Sequence, residues 1–358
     1  MYRIFNYHDQ LVSLNMKSDA KQRIAWLDAI RLLACFLVIL THSAMPAENE
    51  GDGFYMVIIS LISTPSSELF ITISGSILLP TILHMKDFYI KRFSKLFFPV
   101  AFWSMIIVSL SWLMKDTSLN EALIQLILIP IKPATGVYWF IYVICGLYLF
   151  APIISPWLMH CTKNEIRFLI LLWLITLGLP YLNIIMPGFY KIDGNYFFIL
   201  NYFGGFIGYM LLGFYLRKYP VHYTSKLKLF LTIFFLIIAA ILPIYLCYAH
   251  NKSLLPVIWN NLSLTSVLLV YAIYIFFQNI KLGKFLYSLV LRIAKYSFGI
   301  YLIHVIIVRE VIWVLFKNMT GLNPIIKTFA IAILALSVCY FIIRLISLLP
   351  KSKYIIGV

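Results

Sequence analysis

This chain predicts an all-α fold: a polytopic membrane helical bundle of about ten transmembrane helices with both termini cytoplasmic. Three observations carry the prediction. The 358 residues are 62% hydrophobic and only 12% charged, outside the range of an ordinary globular domain. Apolar runs of roughly 18 to 25 residues recur along the chain, the length a helix needs to cross a bilayer. The basic residues are shared unevenly between alternating loops, the mark of an oriented membrane protein. The short alternating segments of a β-barrel are not found, and no shift in composition marks off a soluble domain.

The runs place spans at about 27–45, 55–82, 93–114, 137–158, 166–186, 197–216, 227–248, 257–277, 296–316 and 325–348. Of the 29 Lys and Arg residues, 21 fall on the side that holds both termini, seven on the other, and Arg31 inside the first span. The positive-inside rule assigns the richer side to the cytoplasm. The net charge of +16 is therefore topology, and no nucleic-acid partner is implied. The chain divides into a cytoplasmic tail (1–24), a transmembrane domain (25–349) and a second cytoplasmic tail (350–358). The first 25 residues lack the apolar core and cleavage site of a signal peptide. Met16 offers a second start, which would make Met1–Asn15 either a disordered tail or a misassigned beginning. The cysteines, Cys35, Cys145, Cys161, Cys247 and Cys339, have neither metal nor redox spacing and read mostly as small buried hydrophobes. No metal is expected.

The first span, DAIRLLACFLVILTHS from Asp28 to Ser43, carries charge where charge is costly. Arg31 and His42 are about three helical turns apart, so both point to one face about 16 Å apart. Asp28 and Arg31 are i,i+3 neighbours able to neutralise one another. His42 lies toward the outer face, either as a packing histidine or as a functional one, and Arg31 in phase favours function. Glu48, Glu50 and Asp52 in the next loop read as a solvated face or the rim of an acceptor entrance.

In the second span, Pro65 interrupts the helix and frees carbonyls that polar groups must satisfy. Glu68 then sits at mid-membrane, with Arg31 or His42 as expected partners, in a structural ion pair or a catalytic one. Ser74, Gly75 and Ser76 allow close backbone approach. Arg92 and Lys95, ahead of the third span, share one face at the cytoplasmic mouth and suit phosphates. Lys91 reads as ordinary anchoring. Segment 119–131 is too short to span and reads as interfacial or re-entrant. Trp139 and Phe140 fit an aromatic belt, and the glycines at 204–208 fit helix packing. In the ninth span Tyr301 and His304 share a face, equally readable as a packing pair. Arg309 and Glu310 follow as an interface couple.

Taken in order, these motifs resemble the acyltransferase-3 family of integral membrane acyltransferases, across about 24–348. The residues are Arg31-x10-His42, Glu68 through Ser74-Gly75, Arg92-x-x-Lys95, Trp139-Phe140 and Ser297-x-Gly299-x-Tyr301-x-x-His304. Each alone is weak; their order and topology are more specific. The family's paired arginines are here Arg then Lys, which keeps charge but loses one bidentate fork. Glu68 stands where relatives often have Asp. No esterase-like extension follows the tenth span, as in stand-alone members that modify surface glycans.

The resemblance implies transfer of an acyl group, most simply from cytoplasmic acetyl-CoA, to a sugar hydroxyl of a surface polysaccharide or lipid-linked glycan at a bacterial inner membrane. His42 is the expected general base, Glu68 its orienting carboxylate, and Arg31 a catalytic-face cation. Arg92 and Lys95 would hold the CoA phosphates, with Ser74, Trp139, Tyr301 and His304 as substrate contacts. The rival from a different class is a flippase or exporter of a lipid-linked glycan or exopolysaccharide, which would also need a polar path and a broken helix. The absence of repeat symmetry between the halves weighs against it.

Overall fold

The computed structural model describes residues 24–44, 53–114, 116–182, 200–250, 255, 260–319 and 321–357. Among them every regular element is helical. Eight stretches, 25–43, 57–78, 85–113, 136–160, 163–181, 226–249, 297–316 and 324–346, are long and apolar enough to cross a membrane. The other two expected spans are represented by the shorter helices Ile207–Lys218 and Leu264–Asn279, each preceded by residues outside the described set. The chain is a multi-pass, all-α membrane bundle. The expectations for Met1–Asn15 and for the acidic residues Glu48, Glu50 and Asp52 lie outside the described residues.

The central element is α1 (Ala25–Ser43). It packs against α3 (Ser66–Leu78), α10 (Leu264–Asn279), α11 (Lys284–Ala294), α12 (Ser297–Ile306) and α13 (Pro324–Ile346). Such a position explains how one helix can carry Asp28, Arg31 and His42: they face protein rather than lipid. Outward-facing positions of α9 (Lys226–His250), such as Phe230, Phe234 and Phe235, are instead large and exposed, as a bilayer-facing surface requires.

The second span is broken as its proline predicts. Helix α2 (Gly53–Ser63) stops at a turn over Thr64 and Pro65, and α3 restarts at Ser66. The carbonyl of Ser60 at the break accepts from Thr64 Oγ1 at 2.6 Å and Ser63 Oγ at 3.3 Å. The same carbonyl also accepts from Thr64 N at 2.7 Å, so the two hydroxyls before the proline fold back onto the last turn of α2 and are satisfied there.

Helix α3 crosses α8 (Ile207–Lys218) at backbone contact. A Cβ on Gly75 would lie 1.9 Å from the carbonyl oxygen of Met210, and one on Gly213 would lie 1.9 Å from that of Thr72. Ser76 Oγ donates to Gly213 O at 2.8 Å, and Arg217 reaches Ser76 O at 2.7 Å. Small residues admit the close approach and hydrogen bonds hold it. Gly208 packs flat against Trp173, where a Cβ would come within 2.1 Å of the indole. Packing is therefore the role of Gly75 and Gly208, as expected, and Gly213 is the partner that the sequence left unmarked.

Two boundaries differ from expectation. Helix α4 (Met85–Leu113) starts well ahead of 93, so Arg92 and Lys95 lie within it rather than before it. Hydropathy locates the bilayer-embedded part of a helix, whereas Lys and Arg are good helix formers that prolong it into water. The segment after α13 does not trail away: α14 (Lys353–Ile356) packs on α4, with Ile356 buried and Trp103 Nε1 donating to Ile355 O at 3.0 Å. Short polar flanks conceal an apolar Tyr-Ile-Ile at 354–356. The segment at 119–131 forms the short helix α5 (Leu119–Leu128), capped by Ser118 and Glu121 and seated on α4. Hydrogen bonds from Ser118 hold the Glu121 carboxyl below the usual carboxylate range.

Candidate active site

The basic end of the bundle contains a cavity of about 420 Å³. Arg31, Arg92, Lys95 and Lys295 bring cations to it from α1, α4 and the turn between α11 and α12. Its walls are mainly apolar and aromatic, with Ser74 and Tyr301 among the few polar groups deeper in. Arg31 Nη1 bonds Asp28 Oδ1 at 2.6 Å, as the i,i+3 spacing anticipates. The Arg92 guanidinium lies over the Phe88 ring at 5.7 Å, and its Nε is buried without a hydrogen-bond partner among the described residues. Ser74 Oγ donates back to Phe70 O at 2.9 Å.

Tyr301 links this cavity to the far end of α1. Its hydroxyl donates to Val137 O at 2.6 Å, and Tyr138 from the start of the fourth span reciprocates by donating to Leu302 O at 2.6 Å. The two rings stack at 6.2 Å, with Phe140 edge-on to Tyr301 at 5.8 Å. On its other side Tyr301 meets His304 at 5.5 Å, and His304 meets His42 at 5.3 Å between ring centroids. His304 is fully buried; its Nδ1 lies 2.5 Å from Tyr301 O, while Nε2 has no hydrogen-bond partner among the described residues. Beyond His304 the helix passes into a π-helical turn, Ile307–Ile312, which carries Arg309 into electrostatic reach of both imidazoles. Such π segments occur often at functional sites.

The expected residues therefore separate into two groups along one path. Arg31, Ser74, Arg92, Lys95 and Tyr301 surround the cavity, and His304 and His42 lie beyond Tyr301. Trp139 does not line the cavity; it packs against Phe206 at 5.6 Å and Phe140 at 6.1 Å, within the aromatic cluster. Glu68 stands apart. Its side chain is fully buried in the first turn of α3 and faces Asn261. Its polar neighbours are Asn261 and Tyr209, not Arg31 or His42. The geometric reason is the break at Pro65, which starts α3 against the α8 and α10 side of the bundle.

Sequence reasoning missed Lys295, Tyr138 and the pairing of His42 with His304. Lys295 was visible only as one of several loop cations. Tyr138 was indistinguishable from an interface aromatic, and helix-to-helix pairing leaves no local signal. Among the described residues, no group of three or more His, Cys, Asp or Glu is placed to hold a metal ion.

Residues 24–344 match a family model described as an acyltransferase domain, that of the acyltransferase-3 family. No curated protein matches the chain, and no solved structure does.

Proposed function

The chain belongs to the acyltransferase-3 family and is a membrane acyltransferase; from that premise we propose that it moves an acetyl group from cytoplasmic acetyl-CoA to a sugar hydroxyl of a surface polysaccharide or lipid-linked glycan. We place it in a bacterial inner membrane. The observation that carries the reading is one line of contacts: a cationic cavity at the basic end, Tyr301 in its wall, His304 packed behind Tyr301 and His42 packed against His304.

Each part has a chemical use. Arg92, Lys95 and Lys295, with Arg31 behind them, suit the phosphates of coenzyme A, where charge-assisted hydrogen bonds are strong. The apolar walls between Ile73, Ile77 and Ile144 suit an uncharged arm that carries the thioester inward. His42 is half-buried and so reachable by an acceptor from the opposite end. In the proposed step a neutral His42 takes the hydroxyl proton as the sugar oxygen forms its bond to the thioester carbonyl. The carbon–sulfur bond then breaks, and the departing thiolate takes the proton back from His42. One ester and one free thiol result, with no net proton change.

The test uses purified protein in nanodiscs with acetyl-labelled CoA and a glycan-lipid extract from the host. Wild type is expected to transfer label, and His42→Ala to lose at least 100-fold in turnover, within the usual range for a general base, while still binding coenzyme A. Transfer that survives His42→Ala would remove the base from the mechanism. Absence of CoA turnover with glycan movement across proteoliposomes would replace the enzyme with a transporter.

A further inference from the structure

A general base needs a partner that fixes its ring and tautomer, and in the most familiar arrangement a carboxylate does this. Here Glu68, the carboxylate expected in that role from the sequence, has Asn261 and Tyr209 as its polar neighbours. We propose that His304 fills this position: its Nε2 accepts the ring N–H of His42 and leaves the other His42 nitrogen as the base. This rests on the acyltransferase reading with His42 as the base.

Nδ1 of His304 lies 2.5 Å from a carbonyl oxygen, that of Tyr301. A carbonyl oxygen can only accept, so Nδ1 must carry the hydrogen. A neutral imidazole carries one ring hydrogen, which leaves Nε2 with a lone pair. That nitrogen is buried and has no hydrogen-bond partner among the described residues, a condition that native interiors rarely leave unexplained. The ring facing His304 from α1 is His42, with centroids 5.3 Å apart and planes inclined by 43°. This separation leaves room for one nitrogen-to-nitrogen hydrogen bond of about 3 Å after a modest rotation of the half-buried ring. Arg309, the cation in electrostatic reach of both rings, carries only N–H donors, so it cannot take the place of His304 as acceptor of the His42 N–H. Tyr301 thus has two duties: its hydroxyl is spent on Val137 O, and its carbonyl sets the tautomer of His304.

The proposal explains why two histidines from distant spans meet inside apolar surroundings. It also makes His304 a positioning residue, since it acts through His42 and not on the substrate. Two substitutions separate that role from a packing role. His304→Asn places an amide near Nδ1 and can keep the bond to Tyr301 O, but falls short of Nε2. His304→Gln reaches the Nε2 position with an acceptor oxygen and gives up the bond to Tyr301. Both are compared with wild type for turnover of acetyl-labelled CoA with the host glycan-lipid extract. Coenzyme A binding by calorimetry verifies the fold, because His304 does not line the donor cavity.

With the donor KM unchanged, His304→Asn is expected to lower kcat at least 30-fold and His304→Gln to stay within five-fold of wild type. His304→Asn added to His42→Ala is expected to cost nothing further, as for residues that act as a unit. An active His304→Asn with an impaired His304→Gln would overturn the proposal in favour of the structural bond to Tyr301. Equal loss in both, or losses that multiply with His42→Ala, would overturn it as well. A wild type without CoA turnover, or an active His42→Ala, would instead defeat the underlying reading.

Discussion

The two ends of α1 solve opposite problems. At the basic end, Arg31 opens onto a cavity of about 420 Å³ with Arg92, Lys95 and Lys295 around it, so cations gather where water and a ligand can reach them. At the other end, the half-buried His42 meets the fully buried His304 among packed side chains. The first arrangement suits binding, because flexible cations can follow a phosphate. The second suits catalysis, because a base must hold one orientation and a buried neighbour enforces it. Eleven residues of one helix, about 16 Å of rise, join the two. Substitutions at the two ends should therefore separate kinetically, with KM moving at one and kcat at the other.

The largest effect on that comparison is expected at the basic end. Arg92→Ala and Lys95→Ala should each weaken coenzyme A binding about ten- to a hundred-fold, the range for losing a charge-assisted hydrogen bond of about 1.5–3 kcal/mol. Turnover at saturating donor should be little changed. Titration calorimetry at two salt concentrations checks this, because contacts at an open mouth are screened by salt. A loss of kcat without a loss of affinity would show that the cavity does not hold the donor.

A smaller effect should follow from the segment that closes the cavity floor. Gly357 lines the cavity at φ 70°, and a Cβ there would lie 2.5 Å from the Phe298 ring and 3.1 Å from Lys95 O. Gly357→Val should therefore push this segment off α4 and α12 at a cost of roughly 1 kcal/mol or more. Donor affinity should fall about five-fold while the histidine pair is left intact. Unchanged affinity would mean that the segment is only a neighbour of the donor site.

The basic end was also the more legible one in the sequence. Arg31, Arg92 and Lys95 are charges at the edges of apolar runs, and helical spacing alone put them on shared faces. The break at Pro65 and the small residues at Gly75 were legible for the same reason, since backbone constraints are local. The pairing of His42 with His304 was not, because it depends on how α12 lies against α1, and spacing within one helix says nothing of that. Tyr138 was hidden too: its hydroxyl bond to Leu302 exists only once the fourth and ninth spans meet. The orientation of α3 misled most. Glu68 was expected beside Arg31 or His42, yet the break at Pro65 seats it among Tyr209 and Asn261.

That displacement gives the smallest expected effect and the sharpest one for the roles of these residues. If His304 holds His42, then the charge of Glu68 is not used in the transfer, and Glu68→Gln should keep turnover within about three-fold of wild type. Glutamine has nearly the shape of the carboxyl group and can hydrogen-bond to Asn261 and Tyr209 without adding charge to a buried position. The folded variant should bind coenzyme A as wild type does, because Glu68 does not line the cavity. Parallel measurement of kcat for Glu68→Gln and His304→Asn decides which residue serves His42. A large loss in the first with none in the second would return the orienting role to the carboxylate and require α3 to move toward α1 during the reaction.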